Sequence, residues 1–281
     1  MPAAEPGIRP PTLVRFDNAA APADAGLQRQ AARGQNFFVE WLECGGTAAH
    51  HAIDTTCEAM LLLPSHAAAI EHGGRRTSAP ARSVCILPPG SSRLYMAAGA
   101  RCAVLTSLAP GARTDAANEA AYATLDSRIV PGDRAYAAQA GDTVRVLPMD
   151  EVSAPADNPR LKFLQTHTLS INWVEYQGPR NRAALSPHAH SNFEQGSLAL
   201  AGNFVHHLRA PWGPDANAWQ GDRHEAMGSP SLLVVPVELI HTSEGVGPGH
   251  HLLIDIFCPP RADFIAKGWM ANASDYIARI P

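Results

Sequence analysis

The chain has 281 residues, enough for one large domain or two of ordinary size, each with its own core. With 46% hydrophobic and 17% charged residues, it has the composition of a packed globular protein rather than a disordered one. Its net charge of -4 and the lack of any basic run argue against nucleic acid or an acidic membrane surface as a partner.

No apolar run approaches the roughly 18 to 20 residues that are needed to span a bilayer, and residues 1–35 contain no stretch of signal-peptide length. The pattern predicts a soluble cytoplasmic protein without a membrane partner. The five cysteines include no CxxC pair, so we expect buried or half-buried thiols rather than a disulfide framework.

The N-terminal part begins with residues 1–35, an Ala-, Pro- and Gly-rich segment without periodic pattern that is predicted to be an arm. From residue 36 onward, short apolar runs such as Phe37–Cys44 and Ala59–Pro64 alternate with glycine and proline turns. The 24 prolines and 22 glycines spread between these runs favour many short strands over long helices. The spacing predicts an all-β barrel or sandwich over residues 36–152.

A polar stretch with two prolines, residues 153–159, is the predicted boundary between two domains, because proline keeps the preceding residue extended. Alternating strands resume at Lys162, and a second β domain is predicted over residues 160–265. Residues 266–281 again lack periodicity and are predicted to be a second arm. Because such arms can pack over a neighbouring subunit and two-fold dimers are the commonest homo-oligomers, we expect a homodimer.

The segment around residue 190 carries the clearest chemical signal. His188 and His190 are one residue apart, so they lie on the same face of an extended chain, and Glu194 returns to that face after an even spacing. His241 follows the buried apolar run Ser231–Val235 and can supply a fourth ligand from a neighbouring strand. Three imidazoles and a carboxylate predict an open site for one divalent transition metal: Fe, Mn, Ni, Co, Zn or Cu.

This segment resembles the two motifs of the cupin superfamily, HxHxxxE followed by an apolar strand and Gly, then Gly, a short strand and PxGxxH. The corresponding residues are His188, His190, Glu194, Gly202, Gly228, Pro236 and His241. Glu194 lies one residue farther from Gly202 than is usual, and Glu238 stands where the second motif normally has glycine. The resemblance implies a double-stranded β-helix, or jelly-roll, barrel for each predicted domain.

A weaker copy of both motifs lies in the N-terminal part. Glu58 matches the motif glutamate, Ala52 and Asp54 occupy the positions of the histidine pair, and Arg93 replaces the closing histidine. We interpret the chain as a bicupin whose N-terminal barrel has lost its metal ligands. An ion pair between Arg93 and Glu58 is the expected replacement.

Further side chains are candidates for catalysis and substrate binding. Alternation along Phe204–Arg209 sends two adjacent histidines to opposite faces, so one of them points into the barrel. The candidate acid–base residues are His206, His207 and His224, whose alternative role is to hydrogen-bond around the metal ligands. The candidate substrate-binding residues are Arg180, Arg182, Arg209 and Trp212, with solvated arginines and plain aromatic packing as the alternative.

An open metal centre inside a barrel can stabilise an enolate or an oxyanion. This predicts an enzyme that acts on a small carboxylate or sugar acid by isomerase, lyase or decarboxylase chemistry. The cupin resemblance implies, as an alternative, a dioxygenase that uses a redox metal. A small-molecule-binding protein without enzymatic activity is a third hypothesis, although no DNA-binding or other reporter module accompanies the barrels.

Overall fold

The computed structural model describes residues 7–16, 26–132, 136–139, 141–156 and 158–278. Over these residues the chain is nearly all-β, with 21 strands and one short α-helix. Among them no helix is long and apolar enough to cross a membrane. No disulfide links the five cysteines, of which four are buried and Cys57 is half-buried.

The first twelve strands belong to residues up to 156, here called the N-terminal half. They are β1 (Thr12–Arg15), β2 (Leu27–Arg33), β3 (Phe37–Cys44), β4 (Ala49–Thr55), β5 (Ala59–Leu63), β6 (Ala68–His72), β7 (Arg75–Ala79), β8 (Ser83–Leu87), β9 (Gly90–Met96), β10 (Arg101–Ser107), β11 (Tyr136–Ala138) and β12 (Arg145–Pro148).

The remaining elements belong to residues from 158 onward, the C-terminal half. The strands are β13 (Leu161–Gln165), β14 (Ser170–Gln177), β15 (Gln195–Ala201), β16 (Asn203–Arg209), β17 (Arg223–Gly228), β18 (Ser231–Val235), β19 (Ile240–Val246), β20 (His250–Phe257) and β21 (Tyr276–Ala278). Helix α1 spans Ala262–Ala266. Short 3-10 turns lie at Glu119–Tyr122, Arg182–Ala184, Ala216–Ala218 and Ala273–Asp275.

Each half forms one smaller sheet and all or most of a six-stranded sheet. The N-terminal sheets have the strand orders β12-β8-β5-β10-β3-β2 and β4-β9-β6-β7. The C-terminal sheets have the orders β1-β18-β15-β20-β14-β13 and β17-β16-β19. The strand pairings in all four sheets are antiparallel. The all-β class predicted from the turn spacing is therefore confirmed.

The largest core cluster contains residues of both six-stranded sheets. Trp41 and Met60 from the N-terminal half lie in one buried cluster with Trp173, Leu198 and Ile254 from the C-terminal half. Each large apolar side chain that is fully buried contributes roughly 1.5–3 kcal/mol relative to exposure. The two halves are therefore joined by a continuous apolar core.

The predicted arms contain strands that belong to the sheets. β1 pairs with β18 at the edge of the C-terminal sheet, so it crosses from one half of its own chain to the other. β2 pairs with β3 at the edge of the N-terminal sheet, and β21 pairs with β11. An edge strand needs a partner on only one side, so a sequence without strong apolar alternation can fill it.

Candidate metal centre

Backbone hydrogen bonds align the two segments that carry the histidines. The N–H of His188 donates to the carbonyl of His241 at 3.1 Å, and the N–H of His241 donates to the carbonyl of His188 at 2.8 Å. The N–H of Glu238 donates to the carbonyl of His190 at 2.6 Å. Glu238 has φ 67°, the left-handed conformation that the family's glycine would favour, so the turn forms despite the substitution.

This pairing brings three imidazoles together. The ligand atoms of His188, His190 and His241 all lie within 4.8 Å of one another. Among the described residues, no other three His, Cys, Asp or Glu side chains approach each other in this way. His188 is exposed and His241 is buried, so the group opens to solvent on one side.

Backbone carbonyls fix the tautomers of two of the three imidazoles. Nδ1 of His188 lies 2.8 Å from the carbonyl of Ser186, and Nδ1 of His241 lies 2.9 Å from the carbonyl of Leu239. A carbonyl only accepts, so each Nδ1 carries the proton and each Nε2 carries the lone pair of the neutral ring. Burial lowers the pKa of His241 to about 3 and that of His190 to about 4, which keeps both rings neutral near pH 7.

The fourth position beside the imidazoles is occupied by Gln195. Its Oε1 lies 3.0 Å from Nε2 of His190 and 3.2 Å from Nε2 of His241. Its amide nitrogen donates to Oδ1 of Asp255 at 3.0 Å and to Oγ of Ser197 at 3.1 Å, which orients the amide oxygen toward the histidines. Two acceptors, this oxygen and the Nε2 lone pair of His241, thus face each other. Their approach is favourable when a cation lies between them, so the donor set fits a metal ion.

The structure does not bring Glu194 to this group. Neighbouring residues of an extended chain point to opposite sides, so with Gln195 facing the histidines the side chain of Glu194 points away from them. Its carboxyl is 7% exposed and accepts the backbone N–H of Gln35 at 2.6 Å and the hydroxyl of Tyr122 at 3.3 Å. Burial raises the pKa of Glu194 to about 7. The acidic residue of the motif therefore joins the two halves, and its neighbour faces the histidines.

Glu58 makes the corresponding contact from the N-terminal half to the C-terminal half. It lies in the N-terminal half and accepts the backbone N–H of His167 in the C-terminal half at 3.0 Å, with Nδ1 of the same histidine at 2.9 Å. Arg145 donates to it at 2.5 Å. Burial opposes ionisation, but the contacts with His167 and the charge of Arg145 lower the pKa of Glu58. The expected ion pair with Arg93 is absent, because Arg93 is exposed and Glu58 is paired with Arg145 instead.

In the N-terminal half, apolar residues occupy the positions that correspond to Gln195, Ser197 and Asp255 of the C-terminal half. Ser197 pairs with Asp255 between β15 and β20, as Leu61 pairs with Val104 between β5 and β10. Ala59 precedes Leu61 as Gln195 precedes Ser197. Ala59, Leu61 and Val104 are fully buried, and the residues that match the histidine pair, Ala52 and Asp54, are exposed. The described residues of this half therefore form no comparable donor group.

A cavity of about 190 Å³ adjoins the histidines. One wall is formed by His188, His241 and Gln195. The rest of the lining includes Asp255, Tyr176 and two arginines, Arg160 and Arg180, whose guanidinium carbons lie 5.9 and 6.0 Å from the centre of the Tyr176 ring. Arg160 was not a candidate from sequence, since it follows a predicted boundary with no motif around it.

The candidate acid–base histidines occupy two different faces. His206 is 1% exposed, and its Nδ1 lies 2.8 Å from Oγ of Ser243, which lines the cavity. Burial lowers the pKa of His206 to about 4. His207 and His224 lie on the outer face of the sheet and contact each other there. The predicted alternation is confirmed, with His206 as the inward residue.

Of the four candidate substrate-binding residues, Arg180 alone lines the cavity beside the histidines. Arg182 forms an ion pair with Glu244 at 3.1 Å, and Arg209 is paired with Asp222. Trp212 is 71% exposed and stacks on Trp219, with ring centres 4.4 Å apart. Arg182, Arg209 and Trp212 are therefore surface residues and do not line this cavity.

No protein-family model matches the sequence, and no curated protein sequence matches it significantly. The structure is similar to the oxalate decarboxylase of Lactobacillus farciminis in its formate complex, with a TM-score of 0.58, 12% identity, and coverage of 89% of this chain and 86% of that one. A tryptophan-to-phenylalanine variant of the oxalate decarboxylase of Bacillus subtilis has a TM-score of 0.59 and 10% identity, with coverage of 89% of this chain and 78% of that one. AerE of Microcystis aeruginosa has a TM-score of 0.55 and 8% identity, with coverage of 90% of this chain and 98% of that one. At such identities the likeness shows the shared fold.

Proposed function

We propose that the chain is a metal-dependent enzyme that acts on a small carboxylate by lyase, isomerase or decarboxylase chemistry. His188, His190, His241 and Gln195 hold the metal. The observation that carries the proposal is the amide oxygen of Gln195 facing the Nε2 lone pair of the neutral His241 ring. The fold shared with two oxalate decarboxylases supports the choice of a carboxylate.

The charge of the donor set favours an anionic substrate. Gln195 is neutral where a glutamate would bring a negative charge, so the four ligands neutralise none of the charge of a divalent ion. When bound, such an ion supplies Lewis-acid stabilisation of negative charge that develops on a substrate oxygen.

The side chains around the cavity select and orient the substrate. Arg160 and Arg180 line it together with His188 and Gln195, so one substrate carboxylate can reach a guanidinium while the rest lies beside the imidazoles. A space of about 190 Å³ suits a molecule of few heavy atoms. Asp255 is a positioning residue here, since it accepts the Gln195 amide nitrogen and so points the amide oxygen inward.

Elemental analysis of the dialysed protein tests the metal site. We expect close to one transition metal per chain in the wild type and its loss in the double variant His188→Ala, His241→Ala, with circular dichroism showing that the variant is folded. Unchanged metal content in that variant refutes the ligand assignment. Oxygen consumption by the loaded protein in the presence of substrate favours the dioxygenase alternative instead.

Kinetics with a panel of small mono- and dicarboxylates tests the substrate class. Arg180→Ala is expected to raise KM at least tenfold, because the substrate carboxylate loses a charged partner. Arg209→Ala is the matched control, since Arg209 is paired with Asp222 outside the cavity. Equal effects of the two variants contradict the proposed pocket, and no turnover of any carboxylate by the metal-loaded protein contradicts the proposed activity.

Homodimerisation, cytoplasmic localisation and the two-barrel division remain proposals. Light scattering of the full-length protein tests the first, and a mass of one chain at all concentrations would refute it. A truncation of residues 1–30 would not test the role of an arm in dimerisation, because it removes β1 from the C-terminal sheet and part of β2 from the N-terminal sheet.

A further inference from the structure

The outer face of the sheet β17-β16-β19 carries a second pair of imidazoles. His207 and His224 are directly opposite each other on neighbouring strands. Their Nδ1 atoms lie 2.8 Å apart and their ring centres 4.9 Å apart. His206 and His241, on the same sheet, belong to its buried face. The side chains of the outer pair therefore lie on the opposite face of the sheet from those of His206 and His241.

The buried carboxylate of Glu244 orients His207 of this pair. Nε2 of His207 lies 2.9 Å from Oε2 of Glu244, which is 5% exposed and whose other oxygen lies 3.1 Å from Nε of Arg182. A carboxylate accepts, so Nε2 of His207 carries the proton and the neutral ring presents its Nδ1 lone pair to His224. A histidine held by a carboxylate through its far nitrogen is the usual arrangement of a metal-bound imidazole.

We propose that His207 and His224 bind a second divalent cation through their Nδ1 atoms, one of the imidazole-preferring class of Zn²⁺, Cu²⁺ and Ni²⁺. With metal–nitrogen bonds of about 2.0–2.1 Å in tetrahedral geometry, the two nitrogens would be roughly 3.3 Å apart. This requires a separation only slightly larger than the present one, and His224 is exposed and can make it.

The surroundings provide room for the remaining ligands. A cavity of about 150 Å³ is lined by both histidines and by Thr242, Asp222 and Arg209, and His241 of the candidate metal centre also contributes to its wall. Water molecules can complete the coordination there, and the Asp222 carboxylate, now paired with Arg209, lies at its edge. With two protein ligands in place of four, the outer cation exchanges faster and binds more weakly than one at His188, His190, His241 and Gln195.

Equilibrium dialysis of the full-length protein against Zn²⁺ tests the outer site, with the second equivalent counted as the difference between wild type and His224→Ala. This difference does not depend on whether the inner centre holds a metal. We expect the variant to bind one equivalent fewer than wild type. His250→Ala is the matched control, because His250 contacts Glu175 at 2.7 Å on the surface without a second imidazole, and it should bind as wild type does.

A spectroscopic measurement identifies the ligands directly. Cu²⁺ added to the protein should give, beside any signal of the inner centre, an EPR spectrum with nitrogen couplings that are lost in His224→Ala and retained in His250→Ala. Glu244→Gln should weaken the outer site roughly tenfold or more, as removal of outer-shell partners usually does. Equal Zn²⁺ stoichiometry in wild type and His224→Ala, or equal losses in the two histidine variants, would overturn the proposal.

Discussion

The substitution Glu194→Gln distinguishes two roles for the motif glutamate: a ligand of the metal, or a buried carboxyl that joins the two halves. In the structure the carboxyl is buried against Gln35 and Tyr122, away from the three histidines. Glutamine has nearly the shape of the protonated acid and removes the ionisation: its oxygen can accept the Gln35 N–H, and its NH2 group can donate to the Tyr122 hydroxyl. We therefore expect unchanged metal content and an altered dependence of stability on pH.

The magnitude follows from the pKa of the buried carboxyl. Burial raises it to about 7 from an ordinary value of 4.5, and such a difference corresponds to about 3 kcal/mol between the two protonation states. Because the folded pKa is raised, the contribution to stability is fully present below pH 4.5 and is lost as the pH rises through 7. Between pH 5 and 8 the wild type should lose about 2.5 kcal/mol more unfolding free energy than Glu194→Gln.

Urea denaturation of the metal-free wild type and variant at several pH values between 5 and 8 measures this difference. Other titrating groups, such as Asp255 and the buried histidines, affect both proteins alike and cancel. Parallel profiles of the two proteins would refute the reasoning about Glu194. A large loss of metal in Glu194→Gln, measured separately on the dialysed proteins, would show that the carboxylate is a ligand after all.

Four further substitutions have expected outcomes. Gln195→Ala should weaken metal binding at least tenfold in a chelator competition, while Gln195→Glu should retain or strengthen it, because a carboxylate adds charge at the same position. Asp255→Leu should weaken metal binding by roughly tenfold through the freed Gln195 amide, and a normal affinity would show that Asp255 does not orient it. Glu58→Gln should destabilise the fold by roughly 1–3 kcal/mol at pH 7. Since the pKa of Glu58 is lowered, that loss should fade as the pH falls below 4.5, and a loss that persists there would contradict the ionic contact with Arg145.

The histidines of the candidate centre were predictable because their signal is local. The spacing of His188 and His190 needs only the alternation of an extended chain, and His241 follows a strand that is apolar along its length. Glu194 was predicted as the fourth ligand because an acidic side chain was preferred, whereas the structure places Gln195 beside the histidines. The extra residue between Glu194 and Gly202 was the available signal, since the usual spacing counted back from Gly202 ends at Gln195.

Gly202 makes this count reliable for a physical reason. It has φ 88°, and a Cβ there would lie 2.6 Å from the ring of His251 and 2.8 Å from the carbonyl of His250. No other residue fits without displacing backbone, so the turn marks a definite point along the strand. The acidic residue next to the ligand had no comparable anchor.

The remaining parts of the site could not be predicted because they depend on long-range pairing. Asp255 reaches Gln195 through the register of β15 and β20. Arg160 precedes β13 and Arg180 follows β14, and the antiparallel pairing of these strands brings both arginines to the cavity. The outward position of Arg182 likewise depends on its ion pair with Glu244, a partner far away in the sequence. None of these contacts leaves a spacing pattern in the sequence.

Glu58 and Glu194 each accept a backbone N–H from a turn of the opposite half, so one contact occurs twice with its partners exchanged. Such reciprocity is the mark of an isologous interface, which forms around a two-fold axis between identical subunits. The two halves of this single chain therefore contact each other at these two points in the way that the subunits of a two-fold dimer do. Neither carboxylate belongs to the histidine group, so the contact between the halves does not depend on whether an interior is polar, as around Gln195, or apolar, as at Leu61 and Val104.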